Sequence, residues 1–310
     1  MSHAVETQGL GRSFGPRAAL SDVTLTVGEG EMFALLGPNG SGKTTLFRIL
    51  STLLAPTAGT ARVCGHNVVS APMDVRHQLG VVFQSPALDP QLTVAENFRC
   101  AGNLYGLSGA DLEDRLRAAA DALEVADRLD DRVQILSGGL QRRVEIAKSL
   151  LPRPRVLLLD EPSTGLDPAA RAGLRVVLRR LRRESGVTIV MTTHLLEEAE
   201  VCDRVAILHR GRLIACEPPA SLRVRLGKDV AVLSGPDPEA IAATVRSVFD
   251  WSVMVRDGKV RVELPSGGDH AARLVAALAP AVDAVTVGRP TLEDVFLGLT
   301  GEPLCGEEER

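Results

Sequence analysis

The sequence predicts an α/β protein in two parts, a larger domain with a parallel sheet and a small α+β domain. A glycine-rich loop, Gly37–Thr45, joins a short apolar strand to a helical run. A continuous apolar run, Val156–Leu159, is typical of a strand that is buried on both faces of a parallel sheet. After about Leu226 the order of elements becomes βαββαβ, which is the split βαβ arrangement of ferredoxin-like domains.

Composition limits the class of protein. The chain has 310 residues, of which 45% are apolar and 24% are charged, and its formal net charge is −4. These values indicate a soluble globular protein of about two domains with no general attraction to nucleic acid or anionic lipid. No apolar run approaches the roughly 18 residues of a membrane span, and the first residues lack the pattern of a signal peptide, so we expect a cytoplasmic location.

The glycine-rich loop has the pattern of a phosphate-binding loop, G-x-x-x-x-G-K-[ST]. It consists of Gly37, Pro38, Asn39, Gly40, Ser41, Gly42, Lys43, Thr44 and Thr45. The glycines let backbone N–H groups curl towards an anion, and the N-terminus of the following helix adds the positive end of its dipole. Lys43 would neutralise the β- and γ-phosphates of a nucleotide, and the Thr44 hydroxyl would ligate Mg²⁺.

Two residues at the ends of predicted strands are candidates for ligand contacts. Phe14 lies between strands predicted at Ala4–Leu10 and Val23–Val27, where its ring could stack on a nucleobase or anchor the loop by packing. Gln84 follows a strand predicted at Leu79–Phe83, and its carbonyl could reach a metal ion or a water, although most such glutamines are solvated. The residues alone leave both alternatives open.

A second helix N-terminus with the character of an anion site follows a helical stretch. Thr93 and Glu96 have the spacing of a capping box, and a helix is predicted over Ala110–Ala126. Leu136–Leu140 opens the next helix with two glycines and a serine hydroxyl beside free N–H groups. A serine before a helix is more often only a cap, so both interpretations stay open. The three residues concerned are Ser137, Gly138 and Gly139.

Two acidic residues and a histidine follow buried strands. Asp160 and Glu161 come after the apolar run, where Asp160 is placed to hold Mg²⁺ through water and Glu161 to polarise an attacking water. His194 follows a strand predicted at Val187–Thr192. Such a histidine is more often structural, but beside a nucleotide it could bond the γ-phosphate or its attacking water. Because the same chain contains the phosphate-binding loop, we interpret the acidic pair as functional rather than as solvated loop acids.

Arginines dominate the helix predicted over Ala169–Glu184, which follows a turn that contains Asp167. No aromatic residues are interleaved with these arginines, so we interpret them as a solvated face and expect no nucleic acid to bind. They are Arg171, Arg175, Arg179, Arg182 and Arg183.

Taken in order, these motifs resemble the nucleotide-binding subunit of ATP-binding-cassette (ABC) transporters over residues 4–226. The resemblance implies the fold of a P-loop NTPase cassette, a RecA-like core with an antiparallel β subdomain and an α-helical subdomain, that binds ATP with Mg²⁺. It also implies that Phe14 stacks on adenine and that Gln84 senses both Mg²⁺ and the membrane partner. Thr44, Gln84 and Asp160 would then be the metal-binding residues.

The same resemblance implies the catalytic roles. Glu161 would be the catalytic base and His194 the switch histidine, with Lys43 on the phosphates. Asp167 would lie in the loop that couples the two sites of a dimer. Leu136–Leu140 resembles the family's signature loop, although Leu140 stands where that loop has glutamine and Gln141 follows. Phosphate contact by Ser137, Gly138 and Gly139 is therefore implied, but a side-chain contact to the sugar is not.

The segment Arg289–Gly301 resembles the end of drug-resistance exporter ATPases of the daunorubicin and doxorubicin class. It implies an exporter with a separate polytopic membrane permease, and the ABC resemblance implies that two copies of the chain form a homodimer. Through the permease the dimer would lie on the inner face of the cell membrane. We accordingly expect a nucleotide-binding domain at 4–226, an accessory domain at 227–301 and an acidic tail at 302–310.

Two other functions stay open on the sequence alone. One is a soluble ABC-family ATPase that acts on ribosomes or on DNA repair intermediates, although such proteins usually carry two cassettes or a long coiled-coil insertion. The other is a nucleotide-gated binding module without turnover, which the presence of both Glu161 and His194 disfavours.

Overall fold

The computed structural model describes residues 3–226, 229–256, 258–265, 269–279, 281–302 and 304 of the chain. The chain forms two compact units, one that extends to Pro218 and one over Pro219–Leu304. The boundary expected from the sequence, after residue 226, lies later in the chain than this division, at the end of the helix that opens the second unit. Most of the expected acidic tail, residues 303 and 305–310, lies outside the described residues.

Within residues 3–218, all of which the structure describes, the strands form two sheets. One sheet is antiparallel with the order β2-β1-β4-β5. The other has the order β10-β9-β3-β8-β7-β6 and is parallel except for the hairpin of its last two strands in the chain. The strands are β1 (His3–Phe14), β2 (Arg17–Gly28), β3 (Met32–Leu36), β4 (Ala58–Val63), β5 (His66–Asn67), β6 (Leu79–Val82), β7 (Val156–Asp160), β8 (Thr188–Thr193), β9 (Arg204–His209) and β10 (Arg212–Glu217).

The parallel sheet places the candidate residues beside one another. Every residue of β3, β7 and β8 is buried, as the continuous apolar run at Val156–Leu159 predicted. Leu36 pairs with Thr193, and Asp160 pairs with Thr192, so these three neighbouring strands end at one edge of the sheet. The glycine loop, the acidic pair and the segment that begins at His194 therefore all leave from this edge.

The predicted helices of the larger unit are present, one of them shortened, and two short helices that were not predicted also form. They are α1 (Lys43–Leu50), α2 (Pro72–Gln78), α3 (Val94–Leu104), α4 (Gly109–Ala122), α5 (Gly138–Leu150), α6 (Pro168–Ser185) and α7 (Leu196–Ala199). The capping box of Thr93 and Glu96 is present at the start of α3. The helix predicted over Ala110–Ala126 ends instead at Ala122, because Glu124 takes a left-handed backbone conformation, with a φ of 56°, that a right-handed helix does not contain.

The arginines of α6 are more constrained than a solvated face. Arg171 Nε donates to the Leu166 carbonyl oxygen at 2.8 Å, and Arg175 forms a 2.6 Å ion pair with Glu197. Arg182 is likewise paired, with Asp203, whereas Arg179 and Arg183 are exposed as expected. All five arginines therefore lie at least partly exposed on the surface, and surface ion pairs or a loop carbonyl hold three of them in place.

The second unit has the predicted order of elements, βαββαβ. Its antiparallel sheet has the order β12-β13-β11-β14, and both of its core helices pack against the same hydrophobic cluster, which contains Leu233, Ile241, Val262 and Leu274. The elements are α8 (Pro219–Leu226), β11 (Asp229–Ser234), α9 (Pro238–Phe249), β12 (Val253–Arg256), β13 (Lys259–Leu264), α10 (His270–Leu278), β14 (Ala284–Gly288) and α11 (Leu292–Thr300). No helix within the described residues has the length and apolar character that a membrane span requires.

Candidate functional site

The glycine loop lies directly against neighbouring backbone. Gly40 and Gly42 have positive φ angles of 76° and 107°. A Cβ atom on Gly42 would lie 2.6 Å from the Ala19 carbonyl oxygen, and one on Gly37 would lie 2.3 Å from the Leu208 carbonyl oxygen. Gly37 and Gly42 therefore leave no space for a side chain, and the loop is held tightly between the hairpin of β1 and β2 and the end of β9.

The start of α1 has the features of an anion cradle. Its N-cap makes no side-chain hydrogen bond, and its first turn contains no acidic residue. The Ser41 hydroxyl is buried and has no hydrogen-bond partner among the described residues. Lys43 Nζ donates to the carbonyl oxygens of Gly37, at 2.7 Å, and Pro38, at 3.1 Å. Uncapped N–H groups, an unpartnered hydroxyl and a lysine together suit a phosphate group.

A cavity of about 620 Å³ opens in front of this loop. Three basic side chains and one acidic side chain line it, which suits an anionic ligand of nucleotide size. The structure therefore gathers nine of the predicted site residues around one space. The lining residues are Phe14, Arg17, Ala18, Ala19, Asn39, Gly40, Gly42, Lys43, Thr44, Thr45, Gln84, Glu161, Arg210 and Gly211.

Phe14 lies at the rim of this cavity as the last residue of β1. Its side chain is 48% exposed, and the Arg12 guanidinium carbon lies 4.7 Å from the centroid of its ring. Arg12 is itself anchored, since its Nη1 donates to the Ala55 carbonyl oxygen at 2.9 Å. The ring is therefore held at the cavity by a cation–π contact rather than packed into the core.

The two acidic residues after β7 have different environments. Asp160 is buried, and its Oδ1 accepts a 2.5 Å hydrogen bond from Thr192 Oγ1. Burial raises the pKa of Asp160, and the hydrogen bond from Thr192 opposes that shift. The same Thr192 hydroxyl accepts from the backbone N–H of Glu161 at 2.9 Å. Thr192 therefore fixes both residues of the pair.

Glu161 lies between two basic side chains. Its Oε1 is 3.5 Å from Lys43 Nζ, its Oε2 is 3.4 Å from His194 Nδ1, and Thr164 Oγ1 donates to Oε2 at 3.1 Å. The nearby His194 imidazole is the largest cause that lowers the pKa of Glu161 to about 2, Lys43 adds to it, and burial opposes both. Glu161 also has a positive φ of 47°, a backbone conformation that is uncommon for a residue with a side chain and that concentrates at functional sites.

The segment around His194 is anchored by a buried acid. Thr193 Oγ1 donates to Glu198 Oε2, and it accepts from the backbone N–H of Leu195 at 2.9 Å. Glu198 is buried on α7. These contacts fix the backbone on either side of His194, so the imidazole is held beside Glu161.

The loop at the start of α5 does not line the 620 Å³ cavity. Ser137 caps the helix by accepting from the Leu140 N–H at 3.4 Å, and a Cβ atom on Gly139 would lie 2.9 Å from the Cβ of Ala170. Gly138 lines a neighbouring cavity of about 310 Å³ together with Gln84 and Glu161. Within one chain, therefore, the second predicted anion site and the glycine loop do not face the same space.

Gln141 does not take the place of the missing glutamine at Leu140. Its Nε2 donates to the carbonyl oxygens of Val133, at 3.1 Å, and Leu136, at 3.0 Å. The amide is therefore directed back to the segment before the helix, where it holds the loop in position.

Asp167 is likewise outside the cavity. It is the N-cap of α6, and its Oδ1 accepts from the Ala170 N–H at 2.9 Å. Ala170 is also the residue that leaves no space for a side chain on Gly139. Asp167 therefore fixes the start of α6 against the loop that precedes α5.

Three arginines near the site were not identified from the sequence. Arg17, the first residue of β2, and Arg210, in the turn after β9, line the cavity. Arg142, on α5, is buried and donates to carbonyl groups at the ends of β6 and β7. For Arg142, the sequence did contain one local signal, since Glu145 lies three positions later on the same helix, where an ion pair can form.

Comparisons with known proteins identify the family of this chain. The sequence profile of the family described as ABC transporter matches residues 20–164. The chain is 36% identical to the daunorubicin/doxorubicin resistance ATP-binding protein DrrA of Streptomyces peucetius, with 97% of this chain and 94% of that protein covered. It is 37% identical to the Nod factor export ATP-binding protein I of Paraburkholderia xenovorans (strain LB400), with 97% and 98% covered.

The fold also matches a solved structure, the ATP-binding cassette MJ0796 in a dimeric post-hydrolysis state bound to ADP and Pi. The TM-score is 0.61 and the sequence identity 29%, over 69% of this chain and 98% of that one. The phosphate-binding loop, the strand-end acids and the relatives that match over nearly the whole chain lead to one assignment. The chain belongs to the ABC transporter family, as one of its ATP-hydrolysing subunits.

Proposed function

We propose that two copies of this chain pair head to tail, so that each ATP lies between the Gly37–Thr45 loop of one copy and the Ser137–Gly139 loop of the other. The observation that carries this proposal is that the nucleotide cavity gathers Lys43, Gln84 and Glu161 but not the Ser137 loop. Two helix N-termini on opposite sides of a triphosphate hold it better than one, and hydrolysis removes that bridge. The dimeric state named for the MJ0796 structure supports the pairing of two copies.

In the proposed reaction, Glu161 accepts a proton from the attacking water, and His194 holds Glu161 in position relative to the γ-phosphate. Lys43 binds the β- and γ-phosphates. Because Lys43 then leaves Glu161 for the phosphates, the carboxylate loses its lysine neighbour and its proton affinity rises. Glu161 would thus become a better base when the nucleotide is bound.

The oxygen donors of the site fit Mg²⁺. Thr44 and Gln84 line one cavity, and Asp160 precedes the cavity residue Glu161. A hydroxyl, an amide carbonyl and a carboxylate are ligands that Mg²⁺ takes when it also binds substrate phosphates. We assign Thr44 and Gln84 as direct ligands and Asp160 as a ligand through water. When bound, the ion would neutralise charge on the β- and γ-phosphates.

We further propose that the dimer drives export through a separate polytopic permease, from the cytoplasmic face of the membrane, and binds no nucleic acid. The names of the DrrA and Nod factor relatives, a resistance protein and an export protein, support this direction. The segment from residue 85 to Tyr105 is the candidate docking surface, since Leu104 is 89% exposed and Tyr105 is 51% exposed beside it. Replacing Leu104 by Asp should release the chain from membranes of its host while ATP binding is unchanged.

Mixing two inactive variants tests the head-to-tail site. Lys43→Ala disables the glycine loop, and Gly138→Asp places a carboxylate on the second loop. A Cβ atom on Gly138 meets only Leu166 Cδ2, at 3.7 Å, so the chain has space for it. In a head-to-tail dimer of one copy of each, one site carries both defects and the other carries none. Equal mixing should then restore about a quarter of the wild-type rate if the sites are independent, since half of the dimers are mixed.

If both loops instead act on the ATP of their own chain, no mixed site is intact and the rate stays at the level of the single variants. Subunits are exchanged by mixing before ATP is added, and phosphate release is then measured. The absence of any recovery, with both variants folded and exchanging, contradicts the proposal.

A further inference from the structure

Arg142 joins the helix of the Ser137 loop to two strand ends of the parallel sheet. Its side chain is buried on α5, one turn after the N-cap. The guanidinium donates through all three of its nitrogens to backbone carbonyl oxygens: Nε to Pro162 at 3.0 Å, Nη1 to Phe83 at 2.8 Å and Nη2 to Asp160 at 3.0 Å. One planar group therefore contacts both the residue before Gln84 and the residues on either side of Glu161.

Glu145 extends this contact to the other side of Gln84. Its Oε2 lies 2.8 Å from Arg142 Nη1, and its Oε1 accepts from the Ala87 N–H at 2.6 Å. Lys148 Nζ donates to the carbonyl oxygen of the same Ala87. The three charged residues recur every three positions and face one side of α5. They therefore hold the segment 83–87, which contains Gln84, against the helix.

These contacts are built to be rigid. A buried ion pair is retained only when hydrogen bonds satisfy both groups, and here the guanidinium and the carboxylate each have further backbone partners. The guanidinium is a fixed planar fork, so it sets the distances between the carbonyl groups that it contacts. Lysine has the same charge but a single nitrogen, and cannot bond three carbonyl groups in one plane.

We propose that Arg142, oriented by Glu145, is a positioning residue that fixes Gln84 and the Glu161 turn relative to the helix that begins at Ser137. The inference rests on the proposed function, because this relation matters for hydrolysis only if the Ser137 loop meets nucleotide. The segment after Gln84 is the proposed docking surface for the permease. Movement of that surface would therefore be passed to the Glu161 turn and to the Ser137 loop together.

The variant Arg142→Lys tests this role. It keeps the charge and removes the planar fork, so kcat should fall at least about 10-fold, since a misplacement of about 1 Å can cost roughly 100-fold. KM for ATP should change by less than about threefold, because the groups that bind the phosphates are not touched. The matched control is Arg115→Lys. Arg115, on α4, also pairs with a carboxylate, that of Asp111, and donates to the carbonyl oxygen of Leu151, at the end of α5 away from Ser137. The kcat of Arg115→Lys should stay within about twofold of the wild type.

Hydrogen exchange gives a readout that a general loss of packing would not reproduce. Arg142→Lys should speed amide exchange in a peptide covering residues 83–88, where Ala87 donates to Glu145, and leave the β1 peptide at the wild-type rate. If Arg142→Lys does not fold, Glu145→Gln is tested instead, by its kcat and by its amide exchange in the same peptides. A kcat within about twofold of the wild type, or faster exchange spread over the whole larger unit, overturns the proposal.

The two proposals fail in different ways. If the wild-type chain is inactive, or if the mixed variants show no recovery, the head-to-tail site is contradicted. The hydrogen-exchange experiment then decides whether Arg142 has the proposed role. An active wild type with an equally active Arg142→Lys counts against Arg142 alone.

Discussion

The Nζ atom of Lys43 lies 3.5 Å from Oε1 of Glu161, so the cation of the glycine loop and the acid after β7 neutralise one another. His194 lies on the other side of the same carboxylate, 3.4 Å from Oε2. This arrangement lowers the pKa of Glu161 to about 2 and makes it a weak base. A triphosphate competes with Glu161 for Lys43, and so the arrangement links the basicity of Glu161 to nucleotide binding.

Glu161→Gln should retain ATP binding and lower the rate of hydrolysis by at least about 100-fold, because the amide cannot accept the proton of the attacking water. The variant should also keep its ATP and form a long-lived dimer. Phosphate release and size-exclusion chromatography with ATP measure the two effects. The control is Glu29→Gln, whose carboxylate pairs with Arg155 on the surface and lies outside the cavity. Unchanged hydrolysis in Glu161→Gln would remove this residue from the proposed role.

Lys43→Ala should lower the affinity for ATP by at least about 10-fold, since it removes the one lysine that lines the cavity and with it a charge-assisted contact to the phosphates. Titration with a fluorescent ATP analogue measures the affinity. Lys259→Ala, an exposed lysine of the second unit, is the control and should bind like the wild type. Equal affinity in the two variants would show that the loop does not hold the phosphates.

The residues around the glycine loop were predictable because their signals are local. Gly37–Thr45, Glu161 and His194 each follow a short apolar strand, and parallel strands end at the same edge of a sheet. The order of the strands was not predictable, since neighbours such as β3 and β8 lie far apart in the chain. The order βαββαβ of the second unit could be read because its strands and helices alternate with clear turn residues.

Arg142 and Gln141 show what local patterns miss. A charged residue on a helix is usually exposed, so nothing in the sequence favours burial of Arg142. Its partners, Phe83 and Pro162, come from segments 59 and 20 positions away. Gln141 directly follows Leu140, which stands where the signature loop of the family has glutamine, so the sequence suggests that Gln141 replaces that glutamine. Only the fold shows that its amide is engaged with two carbonyl groups of the preceding segment.

The stability of the larger unit should depend on pH through Glu161. Its pKa in the folded chain, about 2, lies below the ordinary value of 4.5, so the ionised form stabilises the fold above pH 4.5 and this contribution is lost as the pH falls towards 2. Glu161→Gln removes the contribution. The wild type should therefore be more stable than the variant at pH 7, by a difference that is constant down to about pH 5 and shrinks below it. Urea unfolding followed by circular dichroism measures the difference, and one that persists unchanged at pH 3 would contradict the assignment.

Gly42→Ala should destabilise the chain and abolish nucleotide binding, and Gly15→Ala provides the matched control. Both glycines have positive φ angles, 107° and 57°, so both substitutions carry a backbone cost of about 1–2 kcal/mol. Only Gly42 lacks space: its Cβ atom would lie 2.6 Å from the Ala19 carbonyl oxygen and 2.8 Å from Leu20 Cδ2, whereas no atom of the described residues lies within 4 Å of one on Gly15. Gly42→Ala should therefore cost a further 1–3 kcal/mol or so, the usual penalty for overpacking, and displace the loop from the phosphates.

The single tryptophan, Trp251, lies in the second unit, so unfolding of the larger unit is followed by circular dichroism rather than by fluorescence. Equal destabilisation in the two variants, with ATP binding retained in both, would mean that the loop can move away from Ala19 without loss of function.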